Sequence, residues 1–154
     1  MALQTSVNTA AALGVPGAKA TPDQSIYTPV NSFAASGGVA AGSFAWLNTS
    51  GELVQVMPSG ATSVLGLVER DVYYPNYTIT SDGSLIIPEG YAATVAVKGD
   101  YYVKVDASAS VGAAVYAKAA DGSVTLTSAS NCATGWVVKT PAASGGIAII
   151  SAWK

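Results

Sequence analysis

Histidine is absent from this chain of 154 residues, and cysteine occurs once, as Cys132. Without histidine the chain lacks the commonest metal ligand and the usual general base at neutral pH, so no Ser–His or Cys–His pair can be assembled. A single cysteine excludes an intrachain disulfide framework and any cysteine-based zinc site. Charge is scarce as well: 10% of the residues are Asp, Glu, Lys or Arg, against roughly a quarter in an ordinary soluble domain. A surface this poor in charge suits burial against other protein better than full solvation. The net charge is −2 and the basic residues are scattered, so the electrostatic footprint of a nucleic-acid binder is missing. No apolar run approaches the length of a membrane-spanning helix, and no membrane partner is expected. The N-terminus, MALQTSVNTAAALGVPGAKA, has no basic start. Its longest apolar stretch, residues 10–15, contains glycine and is too short for a secretory h-region, so it reads as mature sequence made in a cytoplasm.

The remaining polar groups offer little chemistry. Glu69, Asp71 and Asp82 are the nearest thing to a carboxylate pair, yet the first two flank a strand end and the third sits in a turn. Gly37-Gly38 and Gly145-Gly146 are turn glycines with no phosphate-binding Lys-Ser/Thr behind them. The oxygen-rich turns lack the repeated Asp spacing of a calcium loop. No catalytic residue, cofactor or metal is expected.

What is present is pattern. Residues 39–51, VAAGSFAWLNTSG, return in altered form as residues 110–122, SVGAAVYAKAADG. Each copy reads glycine, alternating apolar run, glycine turn, second strand. A third strand opening on glycine follows: Gly66-Leu67-Val68 in one copy, Gly135-Trp136-Val137 in the other. Two copies imply a pseudo-repeat, over residues 39–70 and 109–140, inside one domain; a solenoid needs more. Half of the residues are hydrophobic, and from Val39 onward they alternate. Tyr91, Ala93, Val95 and Val97 fall on one side of a strand, and Tyr101, Val103 and Val105 on one side of the next. Turns such as Thr49-Ser50-Gly51, Pro58-Ser59-Gly60 and Lys98-Gly99-Asp100 separate them. Short strands at this spacing predict an all-β fold: a small antiparallel β-sandwich or barrel, jelly-roll-like, over residues 37–154. The last strand, residues 146–153, is apolar on both faces until Ser151. It is a central strand or a subunit contact, the central position being favoured. Residues 1–36 differ: rich in Ala, Thr, Ser, Pro and Gly, they form an extended N-terminal arm, of which thirty residues could reach about 100 Å.

Two segments are candidates for contact with a partner. The arm supplies Val15, Pro16, Ile26, Tyr27 and Pro29. The densest aromatic cluster, Tyr73-Tyr74-Pro75-Asn76-Tyr77, supplies Tyr73, Tyr74 and Tyr77, either packed across one end of the domain or offered to a partner. Charge also divides along the chain, acidic over residues 36–90 and mildly basic over 91–154, so copies could mate head to tail.

The segment Gly14-Val15-Pro16-Gly17-Ala18-Lys19-Ala20-Thr21, the strand Gly42-Ser43-Phe44-Ala45-Trp46, and Val111-Gly112-Ala113-Ala114-Val115-Tyr116 followed by Asp121-Gly122-Ser123-Val124 share a character. Together they resemble the structural cement, or decoration, proteins of tailed-bacteriophage capsids, over residues 10–150. The resemblance implies a non-enzymatic virion protein that binds the outer surface of the major capsid protein lattice and reinforces the mature head. It implies self-association too, a homodimer favoured over a homotrimer. The alternative is a carbohydrate- or receptor-binding module of a phage fibre or tail, working through the tyrosine loop.

Overall fold

The structure, a computed structural model, describes residues 14–22, 24–29, 31–71, 78–79 and 84–153. Among these residues there is no helix. The strands in chain order are β1 (Ile26–Tyr27), β2 (Ser32–Phe33), β3 (Val39–Ala40), β4 (Phe44–Leu47), β5 (Leu53–Val54), β6 (Gly66–Val68), β7 (Thr78–Ile79) and β8 (Leu85–Ile87). They continue with β9 (Ala92–Ala93), β10 (Val95–Lys98), β11 (Asp100–Lys104), β12 (Ala114–Ala117), β13 (Val124–Thr125), β14 (Cys132–Val138) and β15 (Ile147–Ser151). All of these strands pair antiparallel.

Two five-stranded sheets dominate. Sheet one has the order β1-β10-β6-β4-β5, and sheet two the order β11-β15-β14-β12-β13. Numbered by their appearance in the chain, the strands of both sheets read first, fifth, fourth, second, third. Backbone bonds fix the correspondence. Gly42 N–H donates to Val68 O (2.8 Å) and Gly112 N–H to Val138 O (2.9 Å). Val68 N–H donates to Ser43 O (2.9 Å) and Val138 N–H to Ala113 O (3.0 Å). Val68 therefore corresponds to Val138, and Gly66 to Trp136. The two glycines that the sequence aligns, Gly66 and Gly135, stand one position apart. Gly66 lies within β6, where a Cβ would strike the Ala96 carbonyl. Gly135 has φ +78° within β14, whose pairing with β12 shifts register.

The side chains show how the sheets stack. Phe44, Trp46, Leu67 and Ala96 of sheet one pack against Tyr101, Val103, Val115, Trp136, Val138 and Ile150 of sheet two. The other face of sheet one, with Ala45, Leu53, Val68 and Val95, packs on Ala34, Val39, Leu85, Ile87 and Ala93. Those residues belong to or flank the small sheets β2-β9 and β3-β8-β7. Sheet one is thus the middle layer of an open sandwich, covered on both faces, and no closed barrel forms. Val68 faces the small sheets while its counterpart Val138 faces sheet one, so the two sheets stack front to back. On the outer face of sheet two, Tyr102, Tyr116, Val137, Ile147 and Ile149 are half-buried and belong to neither core.

This layering explains where simple alternation holds. Tyr101, Val103 and Val105 all face inward as their spacing predicts. In β10, Val95 and Ala96 are both buried, one in each core, and Val97, expected inside, is 40% exposed because the strand leaves the core after Ala96. The last strand, β15, is flanked by β11 and β14. Its Ala148 and Ile150 are buried, while Ile147 and Ile149 on the opposite face are half-buried and belong to neither core of the described residues.

Residues 15–20 lie across the domain as a strap. Gly17 N–H donates to Tyr102 O (2.8 Å), Tyr102 N–H to Ala18 O (3.0 Å) and Ala20 N–H to Asp100 O (2.9 Å), closing the free edge of β11. Arg70 N–H donates to Gly17 O (2.8 Å), joining the strap to the end of β6. Gly17 and Gly42 make this possible: a Cβ on either would come within 2.7 Å of the other's nitrogen.

Candidate functional site

Ionisable groups in this structure serve packing. The Tyr101 side chain is fully buried, its hydroxyl 2.7 Å from Glu69 Oε2 and 2.9 Å from Ser25 Oγ. Burial pushes the phenol far above its ordinary value; the bond to Ser25 opposes this and the Glu69 carboxylate adds to it. The hydroxyl stays protonated and donates to Glu69. Asp106 and Lys118 pair at 3.0 Å beside a cleft of about 340 Å³ where Pro16, Gly42, Ser43 and Lys104 also line the wall. Burial opposes ionisation of Asp106, but Lys118 and the Thr125 hydroxyl outweigh it and hold the carboxyl below the usual range. No group of three metal-ligating side chains occurs among the described residues. One Ser-x-x-Lys spacing does occur, from Ser151 to Lys154. Ser151 is buried on β15 and its Oγ accepts from Trp153 N–H at 3.1 Å; Lys154 lies outside the described residues.

The residues singled out from sequence fall in different settings. Pro16, within the strap, is buried against Gly42. Val15 is half-buried and Pro29 exposed. Ile26, at the sheet edge, is 48% exposed. Tyr27 is half-buried, with the Lys19 ammonium 5.3 Å from its ring centroid. The hydrogen bond from Lys19 to Tyr27 is the main cause that holds that ammonium's pKa above its ordinary value. Tyr73, Tyr74 and Tyr77 lie outside the described residues.

Two apolar surfaces were not singled out. One is the outer face of sheet two, foreshadowed only by the doubly apolar last strand. The other is a hollow of about 560 Å³ at the β10–β11 crossover, where Val97, Lys98, Trp136 and Trp153 meet. Nothing in the local pattern marks it, since its parts come from three distant strands or strand ends.

Comparison with known proteins identifies the family. The family model described as "Structural cement protein (E217 gp24/Pam3 gp6)" matches residues 3–152. The chain belongs to the structural cement protein family. This membership gives it the role of a phage capsid cement, or decoration, protein, as the sequence resemblance implies. A solved chain from "The capsid of Myoviridae Phage XM1" is similar in fold, with a TM-score of 0.70 at 19% identity, over 99% of this chain and 98% of that one. No curated protein matches.

Proposed function

We propose that this cement protein binds the outer surface of the major capsid protein lattice, performs no catalysis, and self-associates through the outer face of sheet two, as a homodimer. The observation that carries the reading is the stacking: among the described residues both apolar faces of sheet one are covered, whereas the outer face of sheet two is met only at its edge, where Gly14 lies against Tyr102. Tyr116, Val137, Ile147 and Ile149, all half-buried, form an apolar face that a second copy would cover, releasing bound water. Many modest contacts then sum across a lattice, because each bound copy raises the effective concentration of the next contact. The lattice contacts proposed are Val15, Ile26, Tyr27 and Pro29 with Tyr73, Tyr74 and Tyr77, on an arm of residues 1–36 and a domain of 37–154. Pro16 belongs to the strap and acts by holding it down.

The test is co-sedimentation with expanded, empty shells of the major capsid protein. The full chain should sediment with shells at a fixed stoichiometry. A chain carrying Ile26→Glu and Pro29→Glu, both at exposed positions, keeps the strap intact and should fold but bind less. Absence of any co-sedimentation by the full chain would overturn the reading.

A further inference from the structure

We propose that the hollow at the sheet crossover receives an apolar side chain flanked by a carboxylate, carried on a segment of the major capsid protein. This rests on the cement reading and assigns one contact within it. The hollow lies where β10 turns through Gly99 into β11 and the chain passes from sheet one to sheet two. Its floor is Trp136, held by edge contact with Phe44 and tilted contact with Tyr101, ring centroids 6.0 Å away in both cases. The main chain that carries it is held too: Thr134 Oγ1 donates to Val115 O and accepts from the backbone N–H of Trp136 at 3.2 Å. Beside it the positive φ of Gly135 leaves open space where a Cβ would stand. The walls are Val97, Ala152 and Trp153, and the apolar rim continues to Ile26, the cross-strand partner of Lys98. Val97, Trp153 and Ile26 are 40%, 37% and 48% exposed. A rigid aromatic floor with exposed aliphatic and aromatic walls is the composition of a binding hot spot.

Charge selects the occupant. The Lys98 ammonium stands 5.4 Å from the Trp153 ring centroid, and no carboxylate among the described residues pairs with it. A cation on an apolar rim, with no carboxylate of the described residues against it, favours a partner that brings a negative charge. A two-fold contact between copies centred here would instead bring one Lys98 against another, which disfavours a second copy as the occupant. The lattice protein, which the cement reading already places against this chain, remains.

The experiment uses the full chain and expanded empty shells of the major capsid protein, comparing wild type with W153A, K98E and K98R. Shell affinity should fall about thirtyfold for W153A, as for an aromatic anchor, and about tenfold for K98E. K98R should bind as wild type, with K98E losing much of the salt dependence that wild type shows. Light scattering should give the same oligomer for all four. Lys98 is exposed, so K98E folds even if W153A does not, and thermal melts check both. Wild-type affinity in W153A and K98E would overturn the inference and leave the cement reading standing. A change of oligomer in K98E would overturn it by making the hollow a self-contact. A wild type that ignores the shells removes both.

Discussion

Sheets one and two share a strand order and a hydrogen-bond register, yet they meet opposite demands. Sheet one has short strands, none longer than four residues, and is interrupted by β2, β3 and β7–β9. Those insertions form the small sheets that cover its far face. Sheet two runs without interruption from β11 to β15, includes the seven-residue β14, and among the described residues has sheet one on its inner face and only the strap along its β11 edge. The lesson is that inserted strands decide whether a sheet is buried on one face or two. Front-to-back stacking leaves one end of the pile open, where front-to-front stacking would hide both inner faces. A protein whose work is to join other proteins has a use for that open end.

The sharpest way to break this contrast is to place one charge at corresponding positions. Leu67 and Val137 correspond, since Leu67 pairs with Phe44 and Val137 with Ala114. Leu67 is fully buried between the sheets and Val137 is half-buried on the open face. Leu67→Glu should cost more than about 4 kcal/mol and leave little folded protein, because an unpaired carboxylate would sit in an apolar core. Val137→Glu should cost about 1 kcal/mol or less in the monomer, while weakening self-association measured by light scattering. Equal loss of stability in urea melts of the two variants would mean that sheet two's outer face is not open.

Tyr101 tests the junction between the sheets. Its phenol is raised far above its ordinary value of 10.0 in the folded state. A raised value means that the native state holds its proton more tightly than the unfolded chain. The stabilisation is complete below pH 10.0 and is lost as pH climbs above it. The slope should approach about 1.4 kcal/mol per pH unit. Tyr101→Phe should be less stable at neutral pH, since Glu69 and Ser25 lose a partner, but its alkaline slope should be flatter. A variant that unfolds with the wild-type alkaline profile would show that other tyrosines carry the effect.

How much of this was legible in the residues follows from the same contrast. Alternation identified Tyr101, Val103 and Val105 because sheet two buries a single face, and period-2 reasoning assumes that condition. It misplaced Val97 because β10 runs out of the core after Ala96, and a period-2 pattern does not say where along a strand the cover ends. Glycine marked the turns well, but Gly66 and Gly135 look alike in sequence for unrelated reasons. One sits where Ala96 leaves no room for a side chain, the other where the backbone needs a positive φ. The cement family was legible in soft glycine and aromatic positions. The open face and the Trp153 hollow were not, because each is assembled from strands far apart in the chain, and local periodicity holds no information on which strands become neighbours.

The smallest effect concerns one turn. Among the described non-glycine residues only Ser130 has positive φ, +59°, and its counterpart in the other copy is Gly60, at +80°. The turns match in their closing bonds, Ala61 N–H to Pro58 O at 3.0 Å and Asn131 N–H to Ser128 O at 3.2 Å. Left-handed backbone costs an ordinary residue about 1 kcal/mol. Ser130→Gly should therefore stabilise, by about 0.5 kcal/mol once the added freedom of glycine in the unfolded chain is set against the relief. Gly60→Ser should destabilise by a similar amount, since a Cβ there meets nothing within 4 Å and only the backbone term remains. Opposite signs in thermal melts would show that the two turns are energetically interchangeable although their surrounding sheets are not. Destabilisation by Ser130→Gly would mean that the Ser130 side chain does something in its turn that Gly60 has no need of.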